Sequence, residues 1–160
     1  MRTVALRSAD GTVRAHALVD DADWHEVDRY RWLLTSDGYV ARWDRASRTL
    51  VRLHRELFGL RRGDGVEVDH ANGDRLDNRR HNLRRCTGAQ NQQNRPRLAV
   101  NNTSGRRGVA WDRSRGKWLA YARLDGRQHN LGRYDDVDEA AATAARFRAE
   151  HMPFSAEAAA

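Results

Sequence analysis

Turn signals cut this chain into short pieces, and that restricts it to small sheets and short helices. Ala9-Asp10-Gly11, Ser36-Asp37-Gly38, Asp44 to Ser47, Ala71-Asn72-Gly73, Arg115-Gly116 and Asp125-Gly126 all carry residue types that suit tight or left-handed backbone. Most of the runs between them are rich in β-branched and aromatic residues and read as strands. Two stretches carry a helix-start signature instead, Thr87-x-x-Gln90 and Asp136-x-x-Glu139. In such a box the side chain at each end satisfies an orphan backbone N–H of the other. The expected class is α+β.

Along the chain, Val4 to Arg7 and Thr12 to Val19 read as strands, and Asp20 or Asp21 caps a short helix through Trp24 and Val27. Trp32 to Leu34, Tyr39 to Trp43 and Thr49 to Leu53 read as further strands. Trp24, Trp32 and Trp43 are expected in the core. His54 to Leu60 reads as a short helix stopped at Gly59, and Val66 to Asp69 as a strand. A polar loop, Ala71 to Asn82, leads to a strand at Leu83 to Cys86 and a helix through Asn91 and Asn94 that ends at Pro96. Strands at Arg107 to Trp111, Lys117 to Leu124 and Arg127 to Leu131 precede an Ala-rich helix from Asp136 to His151, ended by Met152-Pro153. The expected organisation is a β-rich section over 1–53, a core over 54–96, a linker over 97–104, a module over 105–152 and a frayed tail over 153–160.

The formal net charge of +7 and pI of 10.6 point to an anionic partner, with nucleic acid first. Of the basic side chains only Lys117 is not Arg. Genomic base composition is expected to set most of that bias, though it does not explain the net charge. The one cysteine, Cys86, excludes an intramolecular disulfide and a cysteine-built structural zinc site. No apolar stretch approaches the roughly 20 residues that span a bilayer. The N-terminus shows no signal-peptide core, so the expected location is the cytoplasm of a bacterial or phage-infected cell.

Residues 69–91 carry a set suited to phosphodiester hydrolysis. That reaction needs an activated water, neutralised phosphate charge and a stabilised leaving 3′ oxygen. A histidine such as His70 can take the proton from water. A hard divalent cation can do the rest, and Asp69 and Asn91 offer oxygen ligands that suit Mg²⁺ over Zn²⁺. Neighbouring residues on a strand point to opposite faces, so Asp69 and His70 can serve one site only where the strand ends and bends. Asn82 can bond backbone across the loop, or bond His70 and orient it.

The segment HRELFGLRRGDGVEVDHANGDRLDNRRHNLRRCTGAQNQQN, residues 54–94, resembles the HNH homing endonucleases of phages and bacteria, in the branch that closes its motif with Asn. The pattern falls on Asp69-His70, Asp77-Asn78, Asn82-Leu83-Arg84, and Thr87 with Asn91. The resemblance implies a ββα-metal core and one catalytic metal, Mg²⁺ with Mn²⁺ as a substitute. It implies His70 as general base, Asp69 and Asn91 as metal ligands and Asn82 as orienting residue. Asn78 reads as a loop former, His54 as helix-start packing or a phosphate contact, and Asn94 as a DNA contact or an exposed side chain. Arg84 and Arg85, with the pairs Arg61-Arg62 and Arg79-Arg80, read as holders of DNA backbone.

Residues 103–151 resemble the plant ethylene-response-factor (Apetala-type) DNA-binding domain. The matching residues are Gly105, Gly108-Val109, Lys117-Trp118, Leu131-Gly132, Tyr134 and Glu139-Ala140-Ala141. The resemblance implies a three-stranded sheet in the major groove, backed by a helix. Alternation puts Trp118, Ala120, Ala122 and Leu124 on the helix side of the middle strand and Lys117, Leu119, Tyr121 and Arg123 on the other. With Arg107, Gln128 and Asn130 these form the expected reading surface, although Ala110 and Leu119 stand where relatives place polar contacts. The expectation is a monomeric endonuclease acting on double-stranded DNA. The alternative is a DNA-binding protein whose nuclease centre is silent.

Overall fold

The computed structural model describes residues 1–94, 98 and 100–158, and no helix in it is long and apolar enough to cross a membrane. The expected helix end at Pro96 lies outside the described residues. The fold is α+β, in two compact units, 1–91 and 92–160.

The first unit opens with the hairpin β1 (Arg2–Arg7) and β2 (Val13–Val19). A short helix, α1 (Trp24–Val27), follows. A three-stranded antiparallel sheet is formed by β3 (Leu33–Leu34), β4 (Val40–Asp44) and β5 (Thr49–Arg52). Then come α2 (Leu53–Glu56), the hairpin β6 (Glu67–His70) and β7 (Leu83–Cys86), and α3 (Gly88–Gln93), whose last residues pass into the second unit. The order strand, loop, strand, helix is the one the polar loop and capping box predict.

One core runs through this unit. Val4, Leu6, Ala17 and Val19 from the first hairpin pack with Val27, Trp32 and Val40, with Leu53 and Leu57 around α2, and with Val68 and Leu83 of β6–β7. The two sections divided in the sequence at residue 53 are therefore a single packed body. Trp32 is buried and donates its indole N–H to Val27 O, but Trp43 is 55 % exposed and corrects the expectation that it is core. Trp43 pairs across the ladder with Leu50, also exposed, close to the Asp44–Ser47 turn and away from the other strands.

The second unit carries the antiparallel sheet β8 (Val109–Asp112), β9 (Lys117–Leu124) and β10 (Arg127–Tyr134), backed by α4 (Val137–His151). Its core is small: Val109, Ala120, Ala140 and Ala144, with Trp118, Leu131, Tyr134 and Val137 around them. Alanines on both surfaces let helix and sheet approach closely. Gly108 completes that contact, because a Cβ there would lie 2.5 Å from Tyr121 O, at a φ of +75°. Asp136 caps α4 by accepting from the N–H groups of Asp138 and Glu139. The tail is not frayed through residue 158, which corrects that expectation. Ser155 is fully buried, and Glu157 bonds the Arg148 guanidinium at 2.6–2.7 Å.

Candidate functional site

The β6–β7 ladder pairs Glu67 with Cys86, Val68 with Arg85, Asp69 with Arg84, and His70 with Leu83. Paired residues share a face and successive ones alternate. Glu67, Asp69, Arg84 and Cys86 therefore share one face, and His70 leaves from the other at the last rung. The strand stops there: Gly73 N–H bonds His70 O at 2.9 Å, and Ala71 N–H bonds Asn82 O at 2.8 Å. The chain bends at the Ala71-Asn72-Gly73 turn, as expected.

The loop between the strands is held by its own buried polar groups. Asn82 accepts from Asn72 N–H at 3.0 Å and donates to Asp77 O at 2.7 Å, so it bonds backbone across the loop. The Asp77 carboxylate takes the Arg79 guanidinium at 2.7 Å, which holds its carboxyl below the usual range. Leu18 O accepts from Asn78 N–H, and Leu18 N–H donates to Leu76 O, both at 2.8 Å, so β2 anchors the loop.

Asn78, read in the sequence as a loop former, is the residue that meets His70. It is fully buried, donates its amide N–H to Arg75 O at 3.2 Å, and turns Oδ1 to His70 Nε2 at 3.4 Å. With the amide oriented by Arg75 O, Oδ1 can only accept. The contact, though long, favours the tautomer with hydrogen on Nε2 and the lone pair on Nδ1. Burial pushes the His70 pKa below 6.5, against an opposing pull from Asn78 and Asp69. A neutral imidazole at pH 7 is what a general base requires.

On the other face, Arg84 donates from Nε and Nη2 to Asp69 Oδ2 at 3.0 and 2.9 Å. Arg84 thus meets a carboxylate of the site instead of standing outward as a backbone holder. Arg85 stays exposed and bonds Phe58 O at 3.1 Å. The box that opens α3 is reciprocal: Gln90 N–H bonds Thr87 Oγ1 at 3.2 Å and Thr87 N–H bonds Gln90 Oε1 at 2.9 Å. That start brings Asn91 back over β6, where its Nδ2 donates to the Glu67 carboxylate. The bond leaves Oδ1 as the lone-pair end of Asn91, on the face that carries Asp69. Glu67 was not singled out in the sequence; its place two residues before Asp69 was the available signal. Asn94 follows the end of α3 and is buried, whereas the sequence pointed to a DNA contact or an exposed side chain.

Two carboxylates and an amide oxygen make a hard donor set. Cys86 on the same face does not soften it, because burial lifts its thiol to about 11 and keeps it protonated. Among the described residues no group of three or more His, Cys, Asp or Glu could hold a metal ion, so a cation here would depend on Asn91 and water.

Residues 51–93 match the family model described as HNH endonuclease. Protein 3.8 of Escherichia phage T7 is 34 % identical over 86 residues, which cover 54 % of this chain and 69 % of the phage protein. The chain belongs to the family of that phage protein and carries an HNH endonuclease domain. No solved structure gives a significant match. The HNH match takes in His54, Asp69, His70, Asn78, Asn82 and Asn91, and leaves out Tyr39 and the sheet of the second unit.

In that second unit the register sorts the remaining candidates. Arg123 pairs with Gln128 and Tyr121 with Asn130, so the four share the face away from α4. His129 points the other way, with its ring 5.4 Å from Phe147 of α4. Lys117 lies on the Tyr121 side and bonds Asp135 at 3.0 Å. Arg107 is a correction. It precedes β8, donates to Gln93 O at 2.6 Å and lies 3.8 Å from Glu157, half-buried and off the sheet face.

Proposed function

We propose that this chain is a metal-dependent DNA endonuclease of the H-N-N homing type, which cuts at the β6–β7 hairpin and holds DNA with the sheet of its second unit. The observation that carries this reading is the burial of Asp69, His70, Asp77, Asn78 and Asn82 in one hairpin. Burying so many polar groups is costly unless each is bonded, and the loop is built to bond them.

In this mechanism His70 takes a proton from the attacking water at Nδ1, while Asn78 holds its Nε2–H. Asn82 keeps the loop closed, so that the imidazole stays at the strand end. Asp69 and Asn91, with Glu67 fixing the amide of Asn91, would hold Mg²⁺ or Mn²⁺. A divalent cation bound there supplies positive charge to the phosphate and to the leaving 3′ oxygen. Arg84 shares the Asp69 carboxylate and must yield some of it.

Within the second unit, residues 105–152 resemble the ethylene-response-factor DNA-binding domain. Its reading face would be Tyr121, Arg123, Gln128 and Asn130, with Lys117 at the edge. The setting proposed is a monomer on double-stranded DNA in a bacterial or phage-infected cytoplasm.

A silent DNA-binding protein is the second reading, favoured by the Arg84 counter-ion on Asp69. Plasmid DNA incubated with Mg²⁺ or Mn²⁺ decides between them. The parent should nick or linearise the plasmid, chelation should stop it, and His70→Ala should cut at least about 100-fold more slowly. Equal cutting by His70→Ala, or DNA binding without cutting by the parent in either metal, overturns the nuclease reading.

A further inference from the structure

Tyr39 lies outside the segment that matches the HNH family, yet it packs against the proposed general base. Its ring centre is 5.2 Å from that of His54 and 6.1 Å from that of His70, and the two histidine rings are 5.0 Å apart. The three rings close a triangle at the end of β6. Two arginines from distant stretches of the chain meet on the same tyrosine. Cζ of Arg52, the last residue of β5, lies 4.2 Å from the ring centre, and Cζ of Arg75, in the loop, lies 4.4 Å from it.

We propose that Arg52, Arg75 and the Tyr39 hydroxyl form an anion subsite that seats a backbone phosphate of the DNA beside His70; the choice of DNA rests on the nuclease reading above. Stacking on an aromatic face holds a guanidinium flat without consuming its N–H groups. Each guanidinium has five such donors. Arg52 spends one on the Asp37 carboxylate at 2.8 Å, and Arg75 spends one on Asp37 O. Among the described residues the Tyr39 hydroxyl makes no hydrogen bond and the buried His54 Nδ1 has no hydrogen-bond partner.

The subsite is therefore rich in unspent donors, and of its two positive charges Arg52 pairs with the half-exposed carboxylate of Asp37. The field reaches His54. After burial and the neighbouring His70, the positive charges of Arg52, Arg55 and Arg75 also help to hold His54 at about 3. An arriving phosphate is the group of opposite charge this cluster lacks, and planar guanidiniums match its oxygens.

The test is the salt dependence of binding to a random-sequence duplex, read by fluorescence anisotropy with chelator present so that nothing is cut. Each phosphate neutralised adds about 0.9 to the slope of log Kd against log salt. Arg75→Gln and Arg52→Gln should each lower the slope by part of the one phosphate contact, and the double variant should lower it by about 0.9. Arg14→Gln, a similarly exposed change on β2, should leave it unchanged. An unaltered slope in the first two variants, in proteins whose melting matches the parent, overturns the subsite. An equal fall in Arg14→Gln overturns it too, because the effect would then be general charge. Failure of the parent to cut plasmid sinks the nuclease reading without touching this result.

Discussion

The two antiparallel sheets that carry the candidate residues treat polar side chains in opposite ways. In β6, β7 and their loop the polar groups are inside: Asn78 is 0 % exposed, Asn82 4 % and His70 3 %. On β9 and β10, Arg123, Gln128 and Asn130 are exposed and cost nothing to hydrate. Buried groups must be satisfied by protein, so each has a fixed partner and a fixed direction. Exposed groups keep rotamer freedom until something binds. The first arrangement suits chemistry that needs a set geometry, and the second suits contact with a long, regular polymer.

Substitutions on the two sides can break that contrast. The largest loss of stability is expected in the sheet unit but away from its outer face. Gly108→Ala brings a Cβ to 2.5 Å from Tyr121 O in left-handed backbone, at an expected cost of about 2–5 kcal/mol, seen as faster hydrogen exchange of the α4 amides. In the hairpin, Asn82→Ala removes an acceptor from Asn72 N–H and a donor from Asp77 O, an expected loss of about 1–3 kcal/mol in urea unfolding with slower DNA cutting.

The pH response sharpens the contrast further. His54 is buried and titrates at about 3 in the folded chain against 6.5 in the unfolded one. The unfolded state therefore takes up the proton first as pH falls. The stability from a neutral His54 is complete above 6.5 and is lost progressively down to about 3. Unfolding free energies at pH 7 and about pH 5, above most carboxylate titration, should differ more in the parent than in His54→Leu. The smallest effect belongs to the exposed face, where Arg123→Ala with Gln128→Ala should change stability by less than about 0.5 kcal/mol in thermal melts.

Much of the hairpin was legible because its signals are local. The Thr87 and Gln90 side chains bond each other's backbone as the box predicts, and the turn at Gly73 ends β6 where Asp69 and His70, on opposite faces, need a bend to serve one site. Asn82 had two open roles in the sequence and took the backbone one, leaving His70 to Asn78. Glu67, Tyr39 and Arg75 were missed for a different reason. Their significance comes from what they touch, and Tyr39 meets His70 only because the first sheet and the hairpin share a core. Strand alternation placed Ala120 and Ala122 toward α4 correctly, but the inward turn of Arg107 depends on Gln93 and Glu157, which no local pattern links to it.

The proposed division between a cutting hairpin and a holding sheet is tested most directly by measuring affinity and single-turnover cleavage separately for two variants. His70→Ala should bind DNA as the parent does and lose at least about 100-fold in the saturated cleavage rate. Arg123→Ala with Gln128→Ala should bind more weakly and, once saturated, cut at the parent rate. Loss of the same parameter in both variants would contradict the division. So would a saturated rate that survives the removal of His70.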